Sequence, residues 1–459
     1  MAAVAHAGGA AGAHHPCCAG EVTTAYVARS AWSGVQSTTH IKGTERPTLE
    51  FPPEVTEAVT EIIGSVRRDG DEAVAELTQR FDGVERDAIR VSAAEIAAAA
   101  DALAADEREA IEGTIANVRE FHEHQREHLE GFEREFRPGI RMGQRVIPVD
   151  SAGVYVPGGR YPLVASPAMT ILPAVVAGVE RIVACAPPQA DGTIQPAQLY
   201  AMDRAGADEI YAIGGAQAIA AMAYGTESVA PVNVVTGPGN MYTTEAKRQV
   251  FGHVGVDFLA GPTEVLIIAD ETADPALVAT DLLAQAEHDT ESRVVLIATD
   301  QTLAEETIEE VAAQLETLPT EETARIAWAD NGEVILVADR STAVEVANEY
   351  AMEHLQVMSD EPRAYMDGLV NYGSLFLGHH SPVVFGDKAV GTNHCLPTLE
   401  VSKYTGGVWV GTYLKTLTHQ ELTADGAASI APLAAKICEL EGTHAHRFSA
   451  EARLDDSDA

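Results

Sequence analysis

The chain has 459 residues, of which 46% are apolar, and 69 acidic residues against 30 lysines and arginines give it a formal charge of −39. Its length and apolar content suffice for about three domains with their own cores. The acidic surface repels nucleic acid and anionic membrane, so neither is expected as a partner. No run of about 18 apolar residues occurs, which predicts that no segment spans a bilayer.

The excess of acidic residues predicts a protein of a salt-rich cytoplasm, where carboxylates hold water and the Debye length shortens to about 3 Å at molar salt. The alternative is a very soluble protein of ordinary salt tolerance. Five cysteines, two adjacent and three far apart, are typical of reduced thiols and not of a disulfide framework. This usage also favours the cytoplasm.

The first 47 residues differ from the rest of the chain. They are rich in Ala, Gly and Ser and carry few charges, which favours an unfolded or mis-started head. They lack the ordered charged, apolar and cleavage regions of a signal peptide. The run His14-His15-Pro16-Cys17-Cys18 could bind a metal, but no second cluster lies near it, so disorder is the favoured interpretation.

From Pro52 to Phe136 the pattern is helical, with a capping box at Ser92-Ala-Ala-Glu95. After Pro138, short β-branched runs alternate with helical windows, which predicts parallel sheets covered by helices. A first series of strands is expected at 145–149, 153–156, 181–185, 208–213 and 232–236. Helices are expected between them near 165–178, 196–206 and 216–223.

A second series of strands is expected at 264–269, 294–299 and 334–339, and helices at Thr418–Ala424 and Ser429–Glu441. The predicted class is α/β: two tandem Rossmann-like parallel-sheet domains, a helical N-terminal region and a helical C-terminal arm. The expected boundaries are 1–47, 48–154, 155–262, 263–408 and 409–459. Two tandem α/β units imply a cleft.

Three glycine-rich loops each follow an expected strand and precede a helical window. They are Tyr155-Val-Pro-Gly-Gly159, Gly214-Gly-Ala-Gln217 and Gly237-Pro-Gly-Asn240. Ligands of open α/β sheets lie at the carboxyl ends of strands, and glycine lets backbone N–H groups approach a pyrophosphate. The alternative is that each loop is only a turn. The usual GxGxxG fingerprint is absent.

The stretch Gln285-Ala-Glu-His288 is predicted to end a helix that begins with Asp274 as N-cap and Pro275 in its first turn. An amide and an imidazole three residues apart on one helical face have a spacing suited to metal ligands. Two ligands cannot close a zinc site, so the other donors must come from distant parts of the chain. A polar helix end is the alternative.

Other candidate residues are scattered along the second half. Glu353 and His354 place two proton acceptors of different basicity side by side, which suits a reaction that removes several protons; a surface pair is the alternative. Thr263, in Gly261-Pro-Thr-Glu264, could orient a substrate or only cap its own turn. The remaining plausible ligands are Asp387, His394, Glu441 and His446.

Together these motifs, in this order, resemble the histidinol dehydrogenases from about residue 50 to about residue 450. The head has no counterpart in that family. The resemblance implies two successive oxidations of L-histidinol, through a bound aldehyde, to L-histidine, with two NAD used in turn and one zinc ion per subunit. Zinc would act as template and Lewis acid, since it has no redox role.

The resemblance also implies the role of each residue. The implied zinc ligands are Gln285, His288, Asp387 and His446. The implied bases are His354, poised near neutrality for the alcohol proton, and Glu353, for the water that hydrates the aldehyde. The implied substrate contacts are Thr263, Gln285, His288, His354, Asp387, His394, Glu441 and His446. The implied NAD contacts are Tyr155, Gln217 and Asn240.

Two positions depart from the family pattern. Thr263 stands where the family often has Ser, which keeps the hydroxyl. In Glu441-Gly-Thr-His-Ala-His446 the family usually has an aliphatic residue before Ala-His, so His444 competes with His446 as ligand. His446 keeps its spacing from Glu441 and is preferred.

The resemblance further implies a homodimer in which the C-terminal arm of each chain reaches into the cleft of the other. The arm has an apolar face that it must bury somewhere, formed by Ile430, Leu433, Ile437 and Leu440. Two other functions compete with the dehydrogenase. One is a zinc hydrolase in which Glu353 activates water, and the other is a two-lobed binding protein without catalysis.

Overall fold

A computed structural model describes residues 38–44, 51–158 and 161–454. The strands are β1 (Thr38–Lys42), β2 (Phe132–Arg137), β3 (Ile140–Pro148), β4 (Ser151–Tyr155), β5 (Arg181–Ala186), β6 (Glu209–Ala212), β7 (Val234–Thr236), β8 (Gly255–Val256), β9 (Glu264–Ala269), β10 (Arg293–Ala298), β11 (Gly332–Val337), β12 (His354–Met358), β13 (Ser374–Leu377) and β14 (Leu414–Leu422). None of the helices in these ranges is long and apolar enough to cross a membrane.

The helices cover the faces of the sheets. They are α1 (Pro53–Asp82), α2 (Ala93–Ala102), α3 (Ala105–Glu127), α4 (Ser166–Ala177), α5 (Pro196–Ala205), α6 (Gly215–Tyr224), α7 (Met241–Val250), α8 (Pro275–Ala286), α9 (Gln301–Leu315), α10 (Glu321–Asn331), α11 (Arg340–Tyr350), α12 (Arg363–Met366), α13 (Val383–Lys388), α14 (Ala424–Glu441) and α15 (His444–Glu451). The predicted capping box forms at the start of α2, where Ser92 and Glu95 bond each other's backbone N–H.

The first α/β unit is a parallel sheet of five strands in the order β6-β5-β4-β7-β8. Alternate residues of its strands face opposite cores. Ile182, Ala184 and Ala186 of β5 join the core under α3, α4 and α5, whereas Val183 and Cys185 join the core under α1, α6 and α7. A sheet buried on both faces explains why its strands read as continuous apolar runs.

The second unit is a sheet of six strands in the order β1-β11-β10-β9-β12-β13, parallel except for β1 at one edge. Together the two sheets confirm the predicted α/β class. The short strands β12 and β13 were not predicted. They contain few β-branched residues, and the pairing of β12 with β9 and of β13 with β12, not composition, makes them strands.

The prediction of an unfolded head through residue 47 is wrong for its described part. Residues Thr38–Lys42 pair antiparallel with β11, and His40 lies 2.8 Å from a Glu333 carboxylate oxygen. Composition over the whole head hid this strand, because the edge of an existing sheet supplies backbone partners to a polar segment as readily as to an apolar one. The His14–Cys18 run lies outside the described residues.

Two predictions of helix, one before and one after the two α/β units, are also wrong. Phe132–Arg137, expected to be helical, and the segment from Thr418 to Leu422, expected to begin a helix, are strands. Both pair antiparallel with β3 in a three-stranded sheet of order β14-β3-β2. The charged residues of these strands carry weak local preferences, which tertiary pairing overrides. The helix expected from Ser429 to Glu441 is confirmed within α14.

Candidate functional site

The candidate catalytic residues lie at the amino edge of the six-stranded sheet. His354 begins β12 and pairs with Val265 of β9, and Glu264 begins β9. The sequence predicted ligands at the carboxyl ends of strands, so the position of these residues at the amino edge differs from that prediction. It arises because the loop before β9, the end of α8 and the segment after β13 all meet where these parallel strands begin.

Glu353 is held by the loop that precedes β9. One oxygen of its carboxylate, Oε2, accepts hydrogen bonds from Thr263 Oγ1 at 2.6 Å and from the Glu264 backbone N–H at 2.9 Å. A carboxylate oxygen accepts hydrogen bonds, so these two donors fix the position of the Glu353 carboxylate. The side chain is buried, and Thr263 therefore does more than cap its own turn.

His354 lies between carboxylates. Its Nδ1 is 2.9 Å from the Glu264 carbonyl, so this nitrogen carries a proton and donates it, while Nε2 lies 3.2 Å from Asp387 Oδ1. Burial lowers the pKa of His354, but the charges of Glu353 and Asp387 outweigh burial and raise it well above its ordinary value. The ring is thus more basic than the near-neutral group expected from the sequence.

Asp387 is the opposite partner of that ring. Burial raises the pKa of Asp387, yet the neighbouring His354, His394 and Lys388 hold it below its ordinary range. The carboxylate is therefore charged at neutral pH. It lies near the end of α13 and is buried, so its charge acts at short range on every group around it.

Gln285 reaches the same place from α8. The predicted helix start is confirmed, with the Asp274 side chain accepting from the Ala276 N–H at 2.9 Å and Pro275 in the first turn. The helix ends at Ala286, so His288 lies in the turn beyond it and not on the helical stripe expected from the sequence. Gln285 is buried, and its amide Nε2 donates to the Thr263 hydroxyl.

His288 is the second group at the end of α8. Burial lowers its pKa, and the charge of Lys388 lowers it further. The neutral imidazole is the form that binds metals. Neither this ring nor the Gln285 oxygen has a hydrogen-bond partner among the residues that the structure describes. Both can therefore serve as metal ligands, and the charge of Asp387 acts on the His288 ring.

The chemistry of Gln285, His288 and Asp387 fits zinc. Imidazole nitrogen and carboxylate oxygen are usual zinc ligands, and an amide oxygen is a weaker one. Within residues 38–44, 51–158 and 161–454, no group of three or more His, Cys, Asp or Glu side chains is arranged to hold a metal. A further donor would have to come from elsewhere.

His394 closes another side of the site. Its Nδ1 lies 2.6 Å from the Asp387 carbonyl, and its Nε2 lies 3.0 Å from Ser166 Oγ, at the start of α4. Burial lowers the pKa of His394. Ser166 was not singled out from the sequence, since no local motif marks it. Next to this pair is a cavity of about 280 Å³, lined by Ala110, Ile111, Thr114, Ile115, Pro162, Leu163, Val164, Ala165, Ser166, Ala168, Lys388 and His394.

Glu441 and His446 are not brought to this site within the chain. They lie on α14 and α15, of which α14 packs on α15 and on β14, and both side chains are exposed, as is the alternative His444. The arm also exposes large apolar side chains, of which Leu433, Ile437, Leu440 and Phe448 are the clearest. The described chain thus leaves the apolar face uncovered.

The glycine loops lie, as expected, at the carboxyl edge of the five-stranded sheet. The Tyr155 hydroxyl accepts a hydrogen bond from the Gly215 N–H at 3.1 Å, and burial raises the pKa of Tyr155 to about 12. Gln217, on α6, is 1% exposed, and its Nε2 has no hydrogen-bond partner among described atoms. Such an orphan donor points to a ligand. Gly159 lies outside the described residues.

The third loop has a structural explanation that includes residues missed from the sequence. Gly237 has φ +112°, and a Cβ there would lie 2.1 Å from the Tyr155 carbonyl oxygen. A buried pair, Lys247 and Asp257, holds the turn by bonding its carbonyl and its N–H respectively. Asn240 caps α7 by accepting from the N–H groups of residues 242 and 243.

Comparisons with known proteins agree over most of the chain. A family model described as histidinol dehydrogenase matches residues 45–454. A histidinol dehydrogenase homolog from Shouchella clausii is 48% identical and aligns over 87% of this chain and 94% of that protein. A histidinol dehydrogenase from Methanothermobacter thermautotrophicus is 45% identical over 90% of this chain and 96% of that protein. The crystal structure of histidinol dehydrogenase from Elizabethkingia anophelis has a TM-score of 0.86 and 35% identity, and covers 90% of this chain and 95% of that one.

Proposed function

The chain belongs to the histidinol dehydrogenase family, and we propose that it oxidises L-histidinol twice, through a bound aldehyde, to L-histidine, using two NAD in turn. This is the last step of histidine biosynthesis. The observation that carries the proposal is the convergence of Thr263, Gln285, Glu353, His354 and Asp387, which come from distant parts of the chain. A surface pair would not be buried in this way.

Gln285, His288 and Asp387 would hold a zinc ion, with His446 as the remaining ligand. The Gln285 amide oxygen and the His288 ring have no hydrogen-bond partner in the described chain, and Asp387 is a charged buried carboxylate. When bound, the ion would polarise the substrate oxygen and offset the field of Asp387 that raises the pKa of His354.

Proton transfer would be divided between two side chains. The Nδ1–H of His354 stays committed to the Glu264 carbonyl, so Nε2 is the nitrogen that takes the proton of the alcohol. Glu353, fixed by Thr263 and the Glu264 N–H, takes a proton from the water that hydrates the aldehyde. Retaining the aldehyde between the two oxidations prevents its loss to solvent.

NAD would lie along the carboxyl edge of the five-stranded sheet, with Tyr155, Gln217 and Asn240 as its contacts. The unpartnered Gln217 amide supplies a donor, and the first turn of α6, apart from the Gly215 N–H that bonds Tyr155, supplies backbone N–H groups suited to a phosphate. NAD supplies the hydride acceptor. Substrate contacts would come from the zinc ligands and from Thr263, His354, His394 and Glu441.

We further propose a homodimer in which the arm completes the partner's site with Glu441 and His446. The exposed apolar face of α14 supports this, because a symmetric exchange of arms would bury it in both copies. Each site would then mix residues of two chains.

The surface charge supports a salt-rich cytoplasm as the working environment, and the free thiols of Cys185, Cys395 and Cys438 are consistent with reducing conditions. We expect the melting temperature to rise strongly from dilute buffer to molar KCl. An unchanged melting temperature would contradict this part of the proposal.

The deciding experiment incubates the protein with L-histidinol, NAD and zinc and follows NADH by absorbance, with two NADH expected per histidinol. A zinc hydrolase that uses Glu353 would give none, and neither would a binding protein without catalysis. Failure to produce NADH at any salt concentration would reject the oxidation of L-histidinol.

A further inference from the structure

Lys388 places a positive charge inside the site. It follows Asp387 directly, its Nζ lies 3.9 Å from Asp387 Oδ2, and its side chain is 46% exposed. It lines the cavity of about 280 Å³ together with His394 and Ser166. The mechanism described above gives this ammonium group no task.

The backbone that carries Lys388 is fixed by α3. Thr114 Oγ1 donates to the Lys388 carbonyl at 2.9 Å, and the Asn117 amide donates to the Ala389 carbonyl at 2.8 Å. A Cβ at Gly391 would lie 2.5 Å from the Asn117 carbonyl oxygen, so the two segments are in close contact. The stem of Lys388 therefore starts from a defined point at the cavity wall.

The Lys388 ammonium group makes few polar contacts with the surrounding protein. Asp387 is its ion-pair partner, at a long distance, and no described group accepts a hydrogen bond from Nζ. Lys247 shows the contrast, because it is buried, paired with Asp257 and bonded to the Gly237 carbonyl. The other walls of the cavity are mostly apolar. In such surroundings a single charge has a strong influence on which ligand enters.

L-histidinol carries a positive ammonium group, which Lys388 repels. An alcohol with a negative group would instead be attracted to the same position, and its hydroxyl would face Asp387 and His394 next to it. We propose that Lys388 gives this site a second activity, the oxidation of small primary alcohols that carry an anionic group a few atoms from the hydroxyl. The proposal rests on the proposed dehydrogenase chemistry.

The reaction balances with NAD as the co-reactant. The first oxidation breaks the carbinol C–H bond, sends the hydride to NAD⁺ and the hydroxyl proton to the base, and gives the aldehyde. Water adds to the aldehyde, and a second hydride passes to a second NAD⁺. One alcohol and one water thus yield one carboxylate, two NADH and three protons, and the anionic group is unchanged.

The test uses four diols with one HOCH₂–CH(OH)–CH₂–X frame. X is hydrogen in propane-1,2-diol, ammonium in 3-aminopropane-1,2-diol, carboxylate in 3,4-dihydroxybutanoate and sulfonate in 2,3-dihydroxypropane-1-sulfonate. Assays use the full chain with zinc and NAD at the lowest salt concentration that keeps it folded, because salt screens a half-exposed charge. We expect kcat/KM for both anions to exceed that of the uncharged diol by about tenfold, and the ammonium compound to be poorest.

Three variants separate charge from structure. Lys388→Met should lower kcat/KM for the anions about tenfold through KM and raise it for the ammonium diol, whereas Lys388→Arg should retain the order of the wild type. Lys415→Met removes a similarly exposed lysine outside the site, on β14, and should leave the order unchanged. A variant that only loses structure would instead have a lower kcat/KM for all four diols.

The two proposals fail differently. If the wild type oxidises L-histidinol but prefers the uncharged or cationic diol, or if Lys388→Met leaves the order unchanged, the anionic substrate class is rejected and the proposed function stands. If L-histidinol and all four diols give no NADH, the dehydrogenase itself is rejected. Preference for sulfonate over carboxylate, or the reverse, identifies the anion that fits.

Discussion

The two sheets present their candidate ligand sites at opposite edges. The five-stranded sheet uses its carboxyl edge, where the strand β6 runs into the N-terminus of α6 at Gly215. The six-stranded sheet uses its amino edge, where α8 ends beside Gln285 and His288. Helix N-termini carry partial positive charge and C-termini partial negative charge. The first edge thus suits the phosphates of a dinucleotide, and the second suits a metal cation.

The two edges also differ in what they contribute. At the carboxyl edge the chain offers backbone N–H groups and close approach, for which Gly237 is required by its φ of +112°. At the amino edge it offers charged side chains whose pKa values are shifted by one another. If NAD binds at the first edge and the substrate reacts at the second, as proposed, substrate contacts can change without disturbing cofactor contacts.

The largest effect should come from the amino edge of the six-stranded sheet, which holds the proposed zinc ligands and is called the cation edge below. We expect His288→Ala to lose metal affinity by more than about 100-fold, beyond the range for residues that only orient ligands, and to lose activity with it. Gln285→Ala should lose less, since a neutral amide oxygen is the poorer ligand. Zinc content by mass spectrometry measures both. A His288→Ala protein that remains active with a full complement of metal would show that this edge is not the metal site.

A second experiment asks whether the cation edge is completed by another chain. His354→Ala and His446→Ala proteins should each be inactive, but refolding them as an equal mixture should give hetero-dimers in about half of the molecules, each with one intact site. The activity regained would be roughly a quarter of the wild type. If subunit exchange is verified by mass and the mixture stays inactive, each arm serves its own chain.

Glu353→Gln should separate the two oxidations. The amide keeps the shape but cannot take a proton from water, so oxidation of histidinal should fall by about 100-fold or more, while oxidation of histidinol falls less. Separate single-turnover assays of the two substrates give both rates. Equal losses would mean that Glu353 positions the substrate instead of activating water.

The smallest of these effects should come from the carboxyl edge of the five-stranded sheet, where NAD is proposed to bind. Gln217→Leu removes a buried donor that bonds no described atom, so the KM for NAD should rise by about five- to tenfold without loss of thermal stability. Zinc content should not change, since the cation edge is on the other sheet. An unchanged KM for NAD would remove Gln217 from the cofactor site.

The sequence predicted well where one local pattern suffices. Buried strands such as β9 and β10 are continuous β-branched runs, and the start of α8 follows from Asp274 and Pro275. The glycine loops lie at the carboxyl edge of the five-stranded sheet, as predicted, because they follow strands directly; their role in binding NAD stays a prediction. The family resemblance supplied residues that no local pattern joins, such as Glu353 and Asp387.

What the sequence could not predict depends on topology. That His354 begins its strand and that Gln285 follows β9 through a whole helix places the site at the amino edge, and no spacing rule contains this fact. Contacts between residues far apart in the chain also shape the site. Ser166 lies against His394, and the Glu264 carbonyl accepts from His354. The Lys388 carbonyl accepts from Thr114. Strand β14 was missed because its pairing with β3, and not its composition, makes it extended.

Strand β1 has a consequence for behaviour in solution. It ends at Lys42, before the family match begins at residue 45, and covers the outer edge of β11. A chain begun at residue 45 would leave a row of backbone N–H and C=O groups on a strand of Val, Ile and Leu without partners. Such an edge is a template for strand pairing between molecules, so we expect this short N-terminal strand to reduce self-association.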